Sequence, residues 1–322
     1  MKNVVILINE ISEQANADEL DVLDQAKVFE AELELLGYKT YRVFLGLDFR
    51  GAHDEIRKHQ PEFVVNLVES FEKSGRLIYF APAWLEQAGF CFTGNNSEAM
   101  YITSNKMLAK RLMKQAGILT APWICSTNVD ALNPAKQYIA KPVWEDASVG
   151  ITDENVMVGD AKKARRFLEK NANRPYFFEE FISGREFNIS VLGGNEGPEV
   201  LPIAEMMYYK YPEGKPKIMG YEAKWAKNTF EYDNTSREFL APEQEPGLAL
   251  RLRQICTNCW KLFGLKGYVR VDFRVDESGD PFVLEINANP CLSPDAGFYV
   301  ASQKAGYSAS EMLKRIFEDV WK

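Results

Sequence analysis

Histidine is nearly absent from this chain: His53 and His59 are the only two among 322 residues. A histidine-rich zinc centre is therefore excluded, and a Ser–His–Asp triad would have to recruit one of this pair. Both fall in a polar stretch, Gly51-Ala52-His53-Asp54-Glu55-Ile56-Arg57-Lys58-His59, that reads as a surface helix carrying solvated histidines. Cysteine is sparse too. The five are scattered and odd in number, which fits a reducing compartment rather than a disulfide framework. Cys256 and Cys259 make one CxxC inside a helical pattern, and without a second pair they read as buried helix residues. No apolar run approaches the roughly 18 residues of a membrane helix. The run at residues 4–8 is too short for a secretory signal and ends at Asn9-Glu10, so a cytoplasmic protein is expected. Basic residues are outnumbered, 38 against 46, and the net charge of −8 gives no general grip on nucleic acid or an anionic membrane. Any cationic site must be local.

What is present suits a soluble globular protein: 46% hydrophobic and 26% charged residues, in a length that suggests two or three domains. The first ninety residues alternate strand and helix. The apolar run at 4–8 reads as a buried strand, and Leu20, Leu23, Val28, Leu33 and Leu36 keep helical spacing up to Gly37. Further strands are expected at 41–45 and 63–68, with helices between and after them, the last ending near Gly89. This order predicts a small doubly wound parallel sheet. No GxGxxG follows the first strand; Asn9-Glu10-Ile11-Ser12 stands there, which disfavours a nicotinamide or flavin site.

From about Asn95 a second unit begins. Ser104 reads as the cap of a basic amphipathic helix (Lys106, Lys110, Arg111, Lys114) that ends at Gly117. Strands at 137–141 and 176–181 enclose a loop at 142–150 and a helix near 161–170. Strands near 186–192 and 200–205 follow, then a polar loop at 210–228, a helix at 248–263, a long hairpin and a last helix from about Ser308. The expected fold class is α+β with an α/β N-terminal part, in three domains at 1–94, 95–182 and 183–322.

The hairpin at 268–287 is the most informative stretch. Val269, Val271, Phe273 and Val275 alternate with Arg270, Asp272 and Arg274, and Phe282, Leu284 and Ile286 mark a second strand. If Val275 pairs with Phe282, apolar faces match, Asp272 lies opposite Glu285, and Arg270 lies opposite Asn287. Two carboxylates facing each other repel and call for a cation between them. Two carboxylates and an amide oxygen are hard ligands that suit Mg²⁺. On spacing alone the alternative is equally good: a solvated polar face in which Arg270 and Arg274 neutralise the acids.

Arg270-x-Asp272 followed by Leu284-Glu285-Ile286-Asn287-Ala288-Asn289-Pro290 resembles the metal-binding signature of the ATP-grasp ligases. The continuation through Leu292-Ser293-Pro294-Asp295-Ala296-Gly297-Phe298 is similar to the D-alanine–D-alanine ligase branch. Other segments resemble the same family in the same order: Thr103-Ser104-Asn105-Lys106, Ile139-Ala140-Lys141-Pro142 with Ser148-Val149-Gly150, the hinge Glu179-Glu180-Phe181-Ile182-Ser183-Gly184-Arg185-Glu186-Phe187, and Tyr221-Glu222-Ala223-Lys224. The resemblance covers essentially the whole chain and implies a three-domain ATP-grasp fold. It implies ATP between the second and third domains, with Lys106, Lys141 and Ser148 on phosphates. The backbone of Glu180, Phe181 and Ile182 would read the adenine edge, Glu179 its amino group, and Glu186 the ribose. Asp272, Glu285 and Asn287 would hold two Mg²⁺ ions, with Mn²⁺ as an alternative. Arg270, Lys141 and Lys224 would carry catalysis, Lys224 also holding the second substrate's carboxylate. Small-molecule amino acids are the implied substrates and a homodimer the implied assembly, with no nucleic-acid or membrane partner.

The departures from this family cluster in the amino-acid pocket. The acid that holds the first amine corresponds to Asp18 by offset, with Glu19 as the alternative. Where the family has a loop serine and a lid tyrosine, this chain has Ala147 and Trp225, which cannot make those hydroxyl bonds. Asp146 stands where a glycine is expected, and Ala296 replaces the serine at the second carboxylate. The expected function is an ATP-dependent carboxylate–amine ligase joining two amino acids through an acyl phosphate, with altered first-substrate specificity. The alternatives are a genuine D-alanine–D-alanine ligase, transfer to a hydroxyl, or an ATP-binding protein without turnover.

Overall fold

Five consecutive apolar residues can be buried in one strand only if both faces of its sheet are covered. That is the case for β1 (Lys2–Asn9), which lies parallel between β2 (Tyr38–Leu45) and β3 (Phe63–Asn66). Val4, Ile6 and Ile8 enter a core with the helices Ala17–Leu35 and Ala309–Phe317, while Val5 and Leu7 enter another with Phe49–His59 and Phe80–Ala88. The computed structural model describes residues 2–12, 15–72 and 74–321, without the side chains of residues 17 and 18. His53 and His59 do lie on Phe49–His59, but neither is simply solvated. His59 stacks on Tyr41 with ring centroids 3.8 Å apart, and Arg57 donates to His53 at 3.1 Å. β2 thus shields the His59 ring, whereas the His53 ring lies beside Phe90. Cys256 and Cys259 are buried within the helix Pro246–Leu262, as their spacing suggested.

A second sheet is antiparallel, in the order β4 (Trp123–Cys125), β7 (Tyr176–Glu180), β5 (Gln137–Pro142), β6 (Val156–Val158). Its core holds Tyr138, Ala140 and Phe178 against Ala164 of the helix Ala161–Lys170.

The third sheet runs β11 (Thr235–Phe239), β10 (Ala204–Tyr208), β8 (Arg185–Leu192), β12 (Tyr268–Val275), β13 (Pro281–Asn287), with the short β9 (Glu199–Val200) on β8. The expected strand at 200–205 is thus split into two short ones. Within 210–228 a five-residue helix, Tyr221–Trp225, interrupts the expected loop. Phe187, Ile189 and Val191 of β8 and Val269, Val271 and Phe273 of β12 build the core on one face. Alternation sends Glu186, Asn188 and Ser190 to the other face, paired with Arg274, Asp272 and Arg270. That polar face is the floor of a cleft.

Two sequence expectations are corrected at the cleft wall. The helix Lys106–Gln115 is capped not by Ser104 but by Asn105, whose Oδ1 accepts from Leu108 N at 3.1 Å; Ser104 ends the preceding helix Ser97–Ser104. Met100, Ala109 and Met113 of these helices pack into the core of the large sheet. The hairpin register is also not uniform. Arg270 pairs with Asn287 and Asp272 with Glu285, but Phe273 then pairs with Val283 and Val275 with Pro281, not Phe282. Leu284 is the extra residue of a β-bulge. Val283 and Ile286 both enter the core although three positions apart, and only an extra residue lets both face inward. The bulge turns Leu284 and Glu285 together into the cleft.

Candidate active site

The cleft is a cavity of about 450 Å³ between the second and third sheets, covered by residues 145–151 and 218–225. Its chemistry is a set of lysines and arginines, most of them matched to carboxylates. Lys106, at the first turn of its helix, donates to Asp146 Oδ1 and to the Glu145 carbonyl, both at 2.7 Å, and lies 3.2 Å from Glu285 Oε2. Burial alone would raise the Glu285 carboxyl, but Lys106, then Lys141 and Arg270, hold it down to about 2. Burial raises Asp146, with Lys106 opposing and Glu285 reinforcing the shift. Arg270 grips Asp272 with two parallel bonds of 2.7 Å.

Glu179 is fully enclosed between two lysines. Lys141 Nζ donates to Oε1 at 2.7 Å, and Lys110 Nζ meets Oε2. Burial favours the neutral acid, yet the two lysines keep it below the usual carboxylate range. Lys110 also donates to Thr120 Oγ1 at 2.6 Å, whose hydroxyl donates to the Val283 carbonyl at 2.7 Å, tying the helix to β13. At the hinge, Glu180 N donates to the Pro122 carbonyl and Phe181 N to the Gln137 carbonyl. Those two N–H groups are therefore taken, and of the three only that of Ile182 remains for a ligand. The Glu180 side chain pairs with Lys136 on the outer surface, at 2.7 Å. Glu186 accepts from Arg274 at 2.8 Å and from Tyr208 Oη at 2.7 Å at the cleft floor.

The loop and the lid are bonded to each other. Ser148 Oγ donates to the Met219 carbonyl at 2.6 Å, Trp225 Nε1 to the Ala147 carbonyl at 3.0 Å, and Tyr221 N to the Ile151 carbonyl at 2.9 Å. Ala147 and Ser148 hold φ of 55° and 63°, a left-handed pair that costs about 1 kcal/mol per residue without glycine. Ser148 is thus committed to the lid.

At the amino-acid end the alternative acid, Glu19, does not line the cleft. The Asp18 side chain lies outside the described residues, and Glu19 is used by its own helix, accepting from Asn16 N at 2.9 Å. Asp21 lines the cleft instead, accepting from Cys291 Sγ at 2.7 Å and Ser293 Oγ at 2.9 Å. Burial, with Glu69 and Asp21 nearby, pushes the Cys291 thiol well up. Lys224 also lines the cleft; burial and Arg270 lower its pKa. Ala296 precedes the helix Gly297–Lys304 as a cap with no side-chain bond.

Asp21, Lys110 and Arg237 were not singled out from the sequence. Lys110 had a signal: it lies one helical turn after Lys106, on the same face. Arg237 shares its register with Met206, another lining residue, and that pairing exists only in the folded sheet.

Asp272 and Glu285 face each other on adjacent strands and both line the cleft, with Asn287 two residues beyond Glu285; two carboxylates and an amide are a donor set that suits a hard divalent cation. Arg270 and Lys106 neutralise the two carboxylates, and Asn287 Oδ1 accepts from Asn289 N at 2.9 Å. Among the described residues no three His, Cys, Asp or Glu side chains form a group that could hold a metal ion.

Residues 112–318 match the family model described as D-ala D-ala ligase C-terminus. The chain belongs to that family. An uncharacterized protein, y4sG, of Sinorhizobium fredii is 30% identical over 257 residues, 79% of this chain and 73% of its own. A D-alanine–D-alanine ligase of Pseudoalteromonas translucida is 29% identical over 249 residues, 73% of this chain and 72% of its own. Among solved structures, the D-alanine–D-alanine ligase of Bacillus anthracis complexed with ATP superposes with a TM-score of 0.77 at 19% identity, covering 100% of this chain and 98% of that one. The VanG D-Ala:D-Ser ligase of Enterococcus faecalis gives 0.72 at 16% identity, covering 99% of each. The fold is the ATP-grasp fold of these ligases. Among the described residues no helix is long and apolar enough to cross a membrane.

Proposed function

We propose that this protein, an ATP-dependent carbon–nitrogen ligase by family, joins the carboxylate of one amino acid to the amine of a second, and that its first-substrate pocket is rebuilt. The observation that carries the reading is the polar face of the third sheet, where Asp272 and Glu285 face each other on adjacent strands, Asp272 gripped by Arg270 and Glu285 met by Lys106 from the neighbouring helix. A carboxylate is a poor electrophile. Transfer of the γ-phosphoryl group of ATP to it gives an acyl phosphate and ADP; attack by the amine forms the amide, expels phosphate and releases a proton. Such chemistry needs positioning and charge neutralisation rather than a histidine base.

Lys106 and Lys141 are suited to the phosphates, and Arg270 to the phosphoryl group in flight and the tetrahedral intermediate. A divalent cation held by Asp272, Glu285 and Asn287 would screen phosphate charge; two Mg²⁺ ions, or Mn²⁺ in their place, are the proposed load. The Ile182 N–H is offered to the adenine edge and Glu186 to the ribose. Glu179, shut between two lysines, is proposed to orient Lys141 rather than reach the base. Asp21 takes the role expected of Asp18 or Glu19, holding the first substrate's amine, and Lys224 faces the second substrate. We further propose three domains divided as the sequence suggested, and a homodimer.

Rebuilding of the first pocket is supported by the loop–lid contact, in which an indole N–H and a backbone carbonyl replace two hydroxyls. The names of the curated relatives favour a second reading, an ordinary D-alanine–D-alanine ligase. Phosphate release from ATP and Mg²⁺, measured across D- and L-amino acids with mass spectrometry of the product, separates them. D-alanine alone, giving D-alanyl-D-alanine at an ordinary enzymatic rate, would sink the altered specificity. Glu285→Gln and Arg270→Ala are each expected to abolish turnover with the fold retained. Near-wild-type rates in both would make the hairpin structural.

A further inference from the structure

Cations in the cleft come with acids: Lys106 with Asp146 and Glu285, Lys110 and Lys141 with Glu179, Arg270 with Asp272, and Arg274 with Glu186. Two lining cations break the pattern. Among the described residues neither Lys224 nor Arg237 has a carboxylate within ion-pair distance. Lys224 lies over the Trp225 ring, 4.9 Å from its centroid. Arg237 is half-buried on β11, and its guanidinium makes no hydrogen bond among the described residues; Asp295 attracts it without pairing, and Arg270 repels it.

The guanidinium sits over the start of the helix Gly297–Lys304. A Cβ on Gly297 would lie 3.3 Å from Arg237 Nη2, so glycine leaves that space open. Ala296, the cap, has no side chain able to bond there. An open cavity is thus bordered by a fork of N–H donors, a second free ammonium and Arg270 between their fields. Cations crowded together without counter-charge repel, and one carboxylate relieves all of them. A planar guanidinium matches a carboxylate with two parallel bonds.

We infer that Arg237, together with Lys224, holds the carboxylate of the acceptor amino acid in place of the hydroxyl that Ala296 lacks. This rests on the ligase reading above. The acceptor is therefore an amino acid with its carboxylate free, and an amino amide of the same shape is rejected.

The test uses the full chain with ADP and Mg²⁺, and as probes D-alanine, D-serine and D-glutamate, each beside its amide, followed by saturation-transfer NMR. Wild type is expected to bind at least one acid tenfold or more tighter than its amide. Arg237→Gln should erase that preference and Arg237→Lys restore part of it, with all melting temperatures alike. In turnover, at saturating ATP and donor, Arg237→Gln should raise the acceptor KM at least tenfold while moving the ATP KM less than twofold. An intact acid preference in Arg237→Gln, equal binding of acid and amide by wild type, or no binding of any acid overturns the inference. Should Arg237→Gln not fold, the Arg237→Lys comparison decides by the same criteria. Wild-type acid preference without ADP release from any amino acid would instead overturn the ligase reading.

Discussion

The indole Nε1 of Trp225 donates to the main-chain carbonyl of Ala147 at 3.0 Å, joining residues 218–225 to the loop at 145–151. A backbone acceptor does not depend on what residue 147 is, so alanine suffices there once a long donor reaches across. Trp225→Phe keeps most of the ring and removes the donor. One such bond is worth about 1 kcal/mol, or roughly fivefold in a rate or equilibrium. We expect kcat/KM for ATP to fall by about that factor, with faster proteolytic nicking near residues 147 and 225 and an unchanged melting temperature.

Lys110 and Glu179 form a buried ion pair. Lys110→Met should cost about 3 kcal/mol of stability, because a buried carboxylate keeps only one of its two cations. Denaturant unfolding measures it. Pairing the change with Glu179→Gln should recover part of the loss, since the uncompensated charge is then gone.

Stability should depend on acid through Glu285. Its carboxyl is held at about 2 in the folded chain against an ordinary 4.5. A lowered folded value means the stabilisation is complete above 4.5 and lost as pH falls from 4.5 to 2. The amount is on the order of 3 kcal/mol. Urea midpoints at pH 7, 5 and 3 should fall more steeply for wild type than for Glu285→Gln; parallel profiles would contradict the assignment.

Asp146 competes for the lysine proposed to meet the triphosphate, with Oδ1 2.7 Å from Lys106 Nζ. Asp146→Gly removes a buried like charge from the path of an anion. The KM for ATP should fall about three- to tenfold, and ATP affinity should become more dependent on ionic strength. An unchanged or raised KM would show that Asp146 orients Lys106 rather than opposing ATP.

Local pattern reached far in this chain. The run at 4–8, the helical spacing to Gly37 and the alternation through 268–275 each fix which side chains are buried, so the parallel sheet and the facing of Asp272 and Glu285 could be read directly. The bulge could not. Strict alternation is the default, and only the packing of Val283 and Ile286 into one core shows that Leu284 is extra.

Composition and alternation narrowed the kind of chemistry: scarce histidine, no membrane run, and a polar strand face carrying Arg270, Asp272 and Arg274. Which charges meet is set by the folded arrangement. Asp21 reaches Cys291 and Ser293 across some 270 residues of chain, and among the described residues the Arg237 guanidinium is left without a partner beside Gly297. Periodicity is set by neighbours a few residues apart, whereas pairing between distant side chains is set by where three sheets place them, and no local spacing encodes that distance.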